Sequence, residues 1–109
     1  MIKVMWFVKR ADHLTLEEFE RWWTETHAPD IRDEQVPHLV RYIVNVRTDD
    51  TLVAKPDEEC EWDGIAEEWF PTEAAFNAVY GKENRDAHED SVSNTGRIQR
   101  MIVKEITFV

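Results

Sequence analysis

The sequence is short of several things at once: it has a single cysteine, Cys60, only three glycines, and no apolar run near the ~20 residues of a membrane span. One cysteine excludes an internal disulfide and a thiolate metal cluster built from a single chain. Few glycines, none spaced as G-x-G-x-x-G or a P-loop, argue against a nucleotide-phosphate cradle, so no cofactor is expected. Basic charge is scarce as well. Thirteen Lys plus Arg stand against 23 Asp plus Glu, a formal net charge of −10. So acidic a chain repels phosphate backbones, and no basic stripe interrupts it; nucleic acid and anionic membranes are excluded as partners. The opening "MIKVMWFVKR" lacks the charge pattern of a secretory leader, and with reduced cysteine a cytoplasmic setting is expected. The length, 109 residues, is that of one domain over 1–109 with one core.

What the chain does have is aromatic surface, including five tryptophans. "IKVMWFV" (2–8) is nearly continuous apolar and β-prone, the pattern of a strand covered on both faces. "TLEE" is a capping box in which Thr15 bonds the amide of Glu18 and the Glu18 carboxylate reaches back. Leu16, Phe19, Trp23 and His27 follow at helical spacing, with Trp22 beside them, giving a helix with one wide aromatic face. Pro29 disfavours helical geometry at Ala28, so the helix is expected to end or break there and to restart with Pro29 in its first turn. "HLVRYIVNVR" (38–47) and "WDGIAEEWF" (62–70) read as strands, separated by a long polar loop over 48–61. Pro71 and Thr72 start a second helix bearing Phe76, Val79 and Tyr80, with Gly81 at its C-terminal cap. A short helix is expected around Asn84 to Asp90, and "RIQRMIVKEITFV" (97–109) closes the chain as a fourth strand.

The order β-α-β-β-α-β defines an α+β, ferredoxin-like split βαβ fold: a four-stranded antiparallel sheet with two helices on one face. The apolar residues of the first strand occupy odd and even positions alike, so the second sheet face needs a cover. A second copy of the chain is the simplest one, and two facing sheets enclose an apolar cavity for a ligand.

"MIKVMWFVKR", "LTLEEFERWWTETHAPD", "HLVRYIVN" and "DGIAEEWF" together resemble the EthD-like family of the dimeric α+β barrel superfamily, over roughly residues 1–80. The resemblance implies a homodimer with an enclosed small-molecule site. Related barrels include muconolactone isomerases, polyketide dehydratases, cofactor-free monooxygenases and haem-handling proteins. The name-giving members accompany an alkyl ether oxidation system of the cytochrome P-450 type. In muconolactone-type members the matching helix histidine and strand tyrosine act on substrate; here those positions are His27 and Tyr42. Such members carry a cysteine on the third strand where this chain has Glu68, and a carboxylate can also accept a proton.

Each candidate has a plainer reading beside it. His27, at the end of the aromatic stripe, is either a structural histidine tying a broken helix end or a general acid–base group that titrates near neutrality. Tyr42 is either a core residue with a satisfied hydroxyl or the group that orients a substrate oxygen. Glu67 and Glu68 point to opposite faces; Glu68, sharing a face with Ala66 and Phe70, is the better cavity candidate, while a salt bridge to Arg41 or Arg47 is the alternative for either. The tryptophans serve first as core and interface mass, yet Trp6 and Trp23, with Phe70 and His88, are counted as substrate-binding. No metal is expected at His88, because the adjacent Glu89 and Asp90 converge poorly on one ion. His13 and His38 fall at element boundaries and are expected to be solvated; Cys60, in an acidic loop, is expected to be unreactive.

These readings combine into a small cofactor-independent lyase or isomerase acting on a compact cyclic lactone or polyketide-like molecule. His27 moves the proton, with Tyr42 and Glu68 at the substrate oxygen. The alternatives are a non-catalytic accessory protein that carries an apolar, aromatic-derived ligand for an oxidative system, and a cofactor-free monooxygenase or haem-handling barrel.

Overall fold

The computed structural model describes residues 1–48, 60–81 and 87–109, without the side chains of 87–90. The chain runs β1 (Ile2–Arg10), α1 (Leu16–Trp22), a π-helical turn (Trp23–His27), α2 (Ala28–Gln35), β2 (Arg41–Val46), β3 (Gly64–Phe70), α3 (Glu73–Tyr80), α4 (Ala87–Asn94) and β4 (Thr95–Val103). The strands form one sheet in the order β2-β3-β1-β4, every neighbouring pair antiparallel. β1 and β2 are thus split by β3, as the ferredoxin-like order requires. The final helix extends to Asn94, past the expected end at Asp90, while the expected start at 84–86 lies outside the described residues; β4 starts at Thr95 and stops at Val103 rather than running to the last residue. Most of the expected loop over 48–61 lies outside the described residues.

Local chemistry explains the helix starts. Thr15 accepts from the Glu18 amide at 3.1 Å while Glu18 accepts from the Thr15 amide at 2.9 Å, closing the capping box ahead of α1. Thr72 accepts from the Ala75 amide at 3.1 Å ahead of α3. The expected break at Ala28 is corrected: its backbone stays helical, at φ −63° and ψ −41°. The strain goes into the preceding turn instead. Pro29 has no N–H to give and crowds the carbonyl four residues before it. The turn widens, so that the Ala28 amide bonds the carbonyl of Trp23, and α2 continues with Pro29 in its first turn, as the restart required.

The even-numbered residues of β1 and β3 face the helices. Val8, Phe19, Trp23 and Ala66 form one buried cluster, and Val4, Leu39, Phe70 and Val79 form another. Phe19 and Phe70 are both fully buried, and each such side chain contributes about 1.5–3 kcal/mol. Trp23 fits because Gly64 has no side chain. A Cβ on Gly64 would run into the Trp23 ring and meet the Asn45 carbonyl oxygen at 2.9 Å.

The second face is not the bare apolar surface expected. Lys3 and Arg41 flank Trp69 in one cross-strand row, their charged groups 4.6 and 4.8 Å from its ring centroid. Lys3 also reaches Glu67 at 3.1 Å and Glu105 at 2.6 Å. Charges alternate there with half-exposed Met5, Phe7, Ile43 and Ile65, because each strand contributes residues of both kinds to its odd positions.

Gly64→Ala forces either Trp23 or β2 to move. We expect a loss of ~1–3 kcal/mol, read as a lower urea midpoint with an unchanged m-value.

Candidate functional site

Between the helices and the sheet lies a cleft of about 260 Å³, bordered by Trp6, Trp23, His27, Tyr42, Glu68 and Tyr80 among others. That is slightly below the usual ~300–1,000 Å³ of small-molecule sites and suits a compact ligand. The cleft is on the helix side of the sheet and within one chain. This corrects the expectation that these side chains point into a cavity between two facing sheets. They sit on even positions, and the helices cover that face.

β-register brings the polar groups together. Tyr42 and Val4 are the direct cross-strand neighbours of Glu68, and Trp6 is opposite Ala66, one row away on the same face. Glu68 is only 2% exposed, so its carboxylate must be met by donors. Trp6 Nε1 donates to Glu68 Oε1 at 2.7 Å, and the Tyr80 hydroxyl donates to the same oxygen in a short bond. Trp6 Nε1 also lies 3.2 Å from the Tyr80 oxygen. The cross-strand salt bridge of Glu67 is made with Lys3 rather than with the expected Arg41 or Arg47. Glu67, on the other face, pairs with Lys3 and accepts from Asn45 at 2.9 Å, the Asn45 bond being the main cause of its lowered pKa. Arg41 lies over Trp69, and Arg47 approaches Asp63 at 3.6 Å.

Tyr42 accepts from Trp23 Nε1 at 3.4 Å. Its own proton meets no acceptor among the described residues, so it is available to a bound molecule. Burial pushes the Tyr42 pKa up to about 12, with the negative Glu68 adding to the shift and the Trp23 bond opposing it. Tyr42 is therefore a neutral phenol at ordinary pH: a hydrogen-bond donor rather than a base. His27 reaches the cleft from the last residue of the π turn and stacks on Trp22, with ring centroids 4.8 Å apart at an angle of 24°. Donor, acceptor and imidazole thus border one apolar space, an arrangement suited to proton transfer beside a polarised oxygen.

Of the substrate-binding candidates, Trp6 and Trp23 line the cleft. Phe70 does not: it is 0% exposed in the core cluster with Val4 and Leu39, too deep to touch a ligand. His88 falls in α4, and its side chain is outside the described residues. Sequence reasoning missed Tyr80, which reads as an apolar residue of a helix face. Its signal was present, since a buried phenol needs a polar partner, and the partner is Glu68.

The matching family model is described as the EthD domain and covers residues 11–93. The chain belongs to that family. No curated protein matches it. Among solved structures, it is similar to an ethyl tert-butyl ether D (EthD) family protein from Bacillus halodurans, with a TM-score of 0.72 at 17% identity over 97% of this chain and 99% of that one. HapK from Hahella chejuensis aligns with a TM-score of 0.66 at 14% identity, over 100% and 96% of the two chains. SnoaB, a cofactor-independent oxygenase from Streptomyces nogalater, aligns with a TM-score of 0.59 at 16% identity, over 99% and 94%. These likenesses establish the fold. Among the described residues no helix is long and apolar enough to cross a membrane.

Tyr42 should ionise near pH 12. In the unfolded chain the same phenol loses its proton near its ordinary value of about 10. The folded state binds the proton more tightly, so stability is unaffected below about pH 10 and falls between there and about 12. Absorbance titration at 295 nm should show a late phenolate that Tyr42→Phe removes; a Tyr42 signal at ordinary pKa would contradict the burial argument.

Proposed function

We propose that the chain is a cofactor-independent acid–base enzyme, a lyase or isomerase, acting on a compact cyclic molecule held in the helix-side cleft. The observation that carries this reading is the buried Glu68 carboxylate, aimed into an indole-walled cleft beside a phenol with a proton to give. Tyr42 donates to a substrate carbonyl or lactone oxygen and stabilises the negative charge that develops there. His27 moves the proton to or from the adjacent carbon. Glu68, held by Trp6 and Tyr80, accepts from a substrate hydroxyl or takes the proton itself. Loss of water or migration of a double bond next to a carbonyl needs only such groups. Trp6 and Trp23 supply flat apolar walls that favour a ring.

The protein acts as a homodimer in this reading; a protein of similar, ferredoxin-like fold from Bacteroides fragilis is described as dimeric. Half-exposed Met5, Phe7, Ile43 and Ile65 supply the apolar part of the contact.

Native mass spectrometry of purified protein tests dimer and ligand together, and the mass of a retained molecule directs a panel of lactones and hydroxylated aromatics. Glu68→Gln keeps an oxygen that accepts from Trp6 and Tyr80, so the fold should survive while kcat falls ~10²–10⁴-fold; His27→Gln should do likewise. Binding of panel members with no turnover by the wild type would replace the enzyme with an accessory carrier. Oxygen consumption during turnover would move it to the class SnoaB represents.

A further inference from the structure

Arg100 stands out among the described arginines. Arg10, Arg21, Arg32, Arg47 and Arg97 each meet a carboxylate, and Arg41 lies over Trp69 within the field of Glu67. Arg100 meets aromatic rings instead. Its guanidinium carbon is 5.5 Å from the Tyr80 ring centroid, 5.6 Å from Trp6 and 5.7 Å from Phe76. The side chain is exposed, and among the described residues no carboxylate lies within ion-pair distance of it.

Its position gives it a use. Arg100 is the cross-strand neighbour of Trp6 on the helix-facing side of β4, and Ile98, on the same side, lines the cleft. Trp6 and Tyr80, two of the three rings beside it, are the residues that donate to Glu68. The guanidinium is thus not itself part of the cleft lining but stands directly behind two lining residues, Trp6 and Tyr80, that anchor the buried carboxylate. Ring contacts engage the faces of a guanidinium and leave its planar fork of N–H donors to bond in-plane. That fork matches a carboxylate, which it takes in two parallel hydrogen bonds.

We infer that Arg100 reads a carboxylate on the ligand of the cleft, so that the ligand class is a cyclic carboxylic acid. This rests on the reading of the cleft as a small-molecule site. An anionic group in this cleft is repelled by Glu68 and drawn to Arg100, which fixes the ligand's orientation. The carboxylate sits at the rim, and the ring extends inward between the indoles toward Tyr42 and Glu68. A polyphosphate fits poorly, because its several charges would face one fork and a buried carboxylate.

The test compares 3-hydroxybenzoate with 3-hydroxybenzamide, isosteres that differ in charge, by calorimetry and tryptophan fluorescence. Wild type should bind the benzoate at least tenfold more tightly, and added salt should shrink the ratio. Arg100→Met, which keeps an apolar stem over the rings, should abolish the benzoate's advantage with benzamide binding unchanged, and Arg100→Lys should retain part of it. Equal binding by wild type would overturn the assignment of Arg100 while leaving the cleft as a ligand site. Loss of benzamide binding in folded Arg100→Met would also overturn it, making Arg100 a support for Trp6 and Tyr80. Failure of wild type to bind either probe would remove the small-molecule site, and this inference with it.

Discussion

A carboxylate removed from water must be met by donors, and the site of this protein is organised around that requirement at Glu68. The cost of stranding such a group is several kcal/mol, so the residues that meet it are fixed as firmly as the core. Trp6 reaches it from β1 and Tyr80 from the last turn of α3. One oxygen therefore ties the centre of the sheet to α3. The same bonds orient an indole and a phenol along the cleft wall. Tyr42, opposite Glu68 on the edge strand β2, is affected in turn, because the nearby negative charge helps keep its phenol protonated.

The first helix brings the imidazole by a different physical route. An uninterrupted α-helix through Pro29 would need an amide the proline lacks and room its ring takes up. Widening the turn before it keeps the chain helical and delivers His27 at the turn's end, stacked on Trp22. The π turn also carries α1's aromatic face on from the fully buried Phe19 to Trp23, 2% exposed. Packing of α1 and placement of the imidazole are thus one structural event.

Much of this was legible in the residues. The capping box at Thr15, the β-α-β-β-α-β order and the opposite facing of Glu67 and Glu68 follow from local rules with a single outcome each. The clustering of Trp6, Trp23, His27, Tyr42 and Glu68 followed from facing arguments together with the family resemblance. What was not legible depended on register between distant segments. Whether Phe70 met ligand or core hinged on how deep its row sits beneath α3, and no local pattern encodes that depth. The side on which the cleft opens was misjudged for a related reason. β1 is apolar at nearly every position, so it cannot reveal which face holds a ligand; the Lys3–Trp69–Arg41 row that marks the other face assembles from three strands. Tyr80 was hidden because a phenol and a phenyl ring look alike in a hydrophobic pattern.

The missing side chain at Gly64 has a consequence for how such a cleft changes over generations. The Trp23 ring occupies the space a Cβ at position 64 would need, so the two positions act as a single steric choice. A smaller residue at 23 removes the indole from the path of a side chain at 64 and leaves only the Asn45 carbonyl for β2 to shift away, whereas enlarging 64 first collides with both. Divergence in the shape of this wall is therefore ordered, with the helix residue yielding before the strand residue grows.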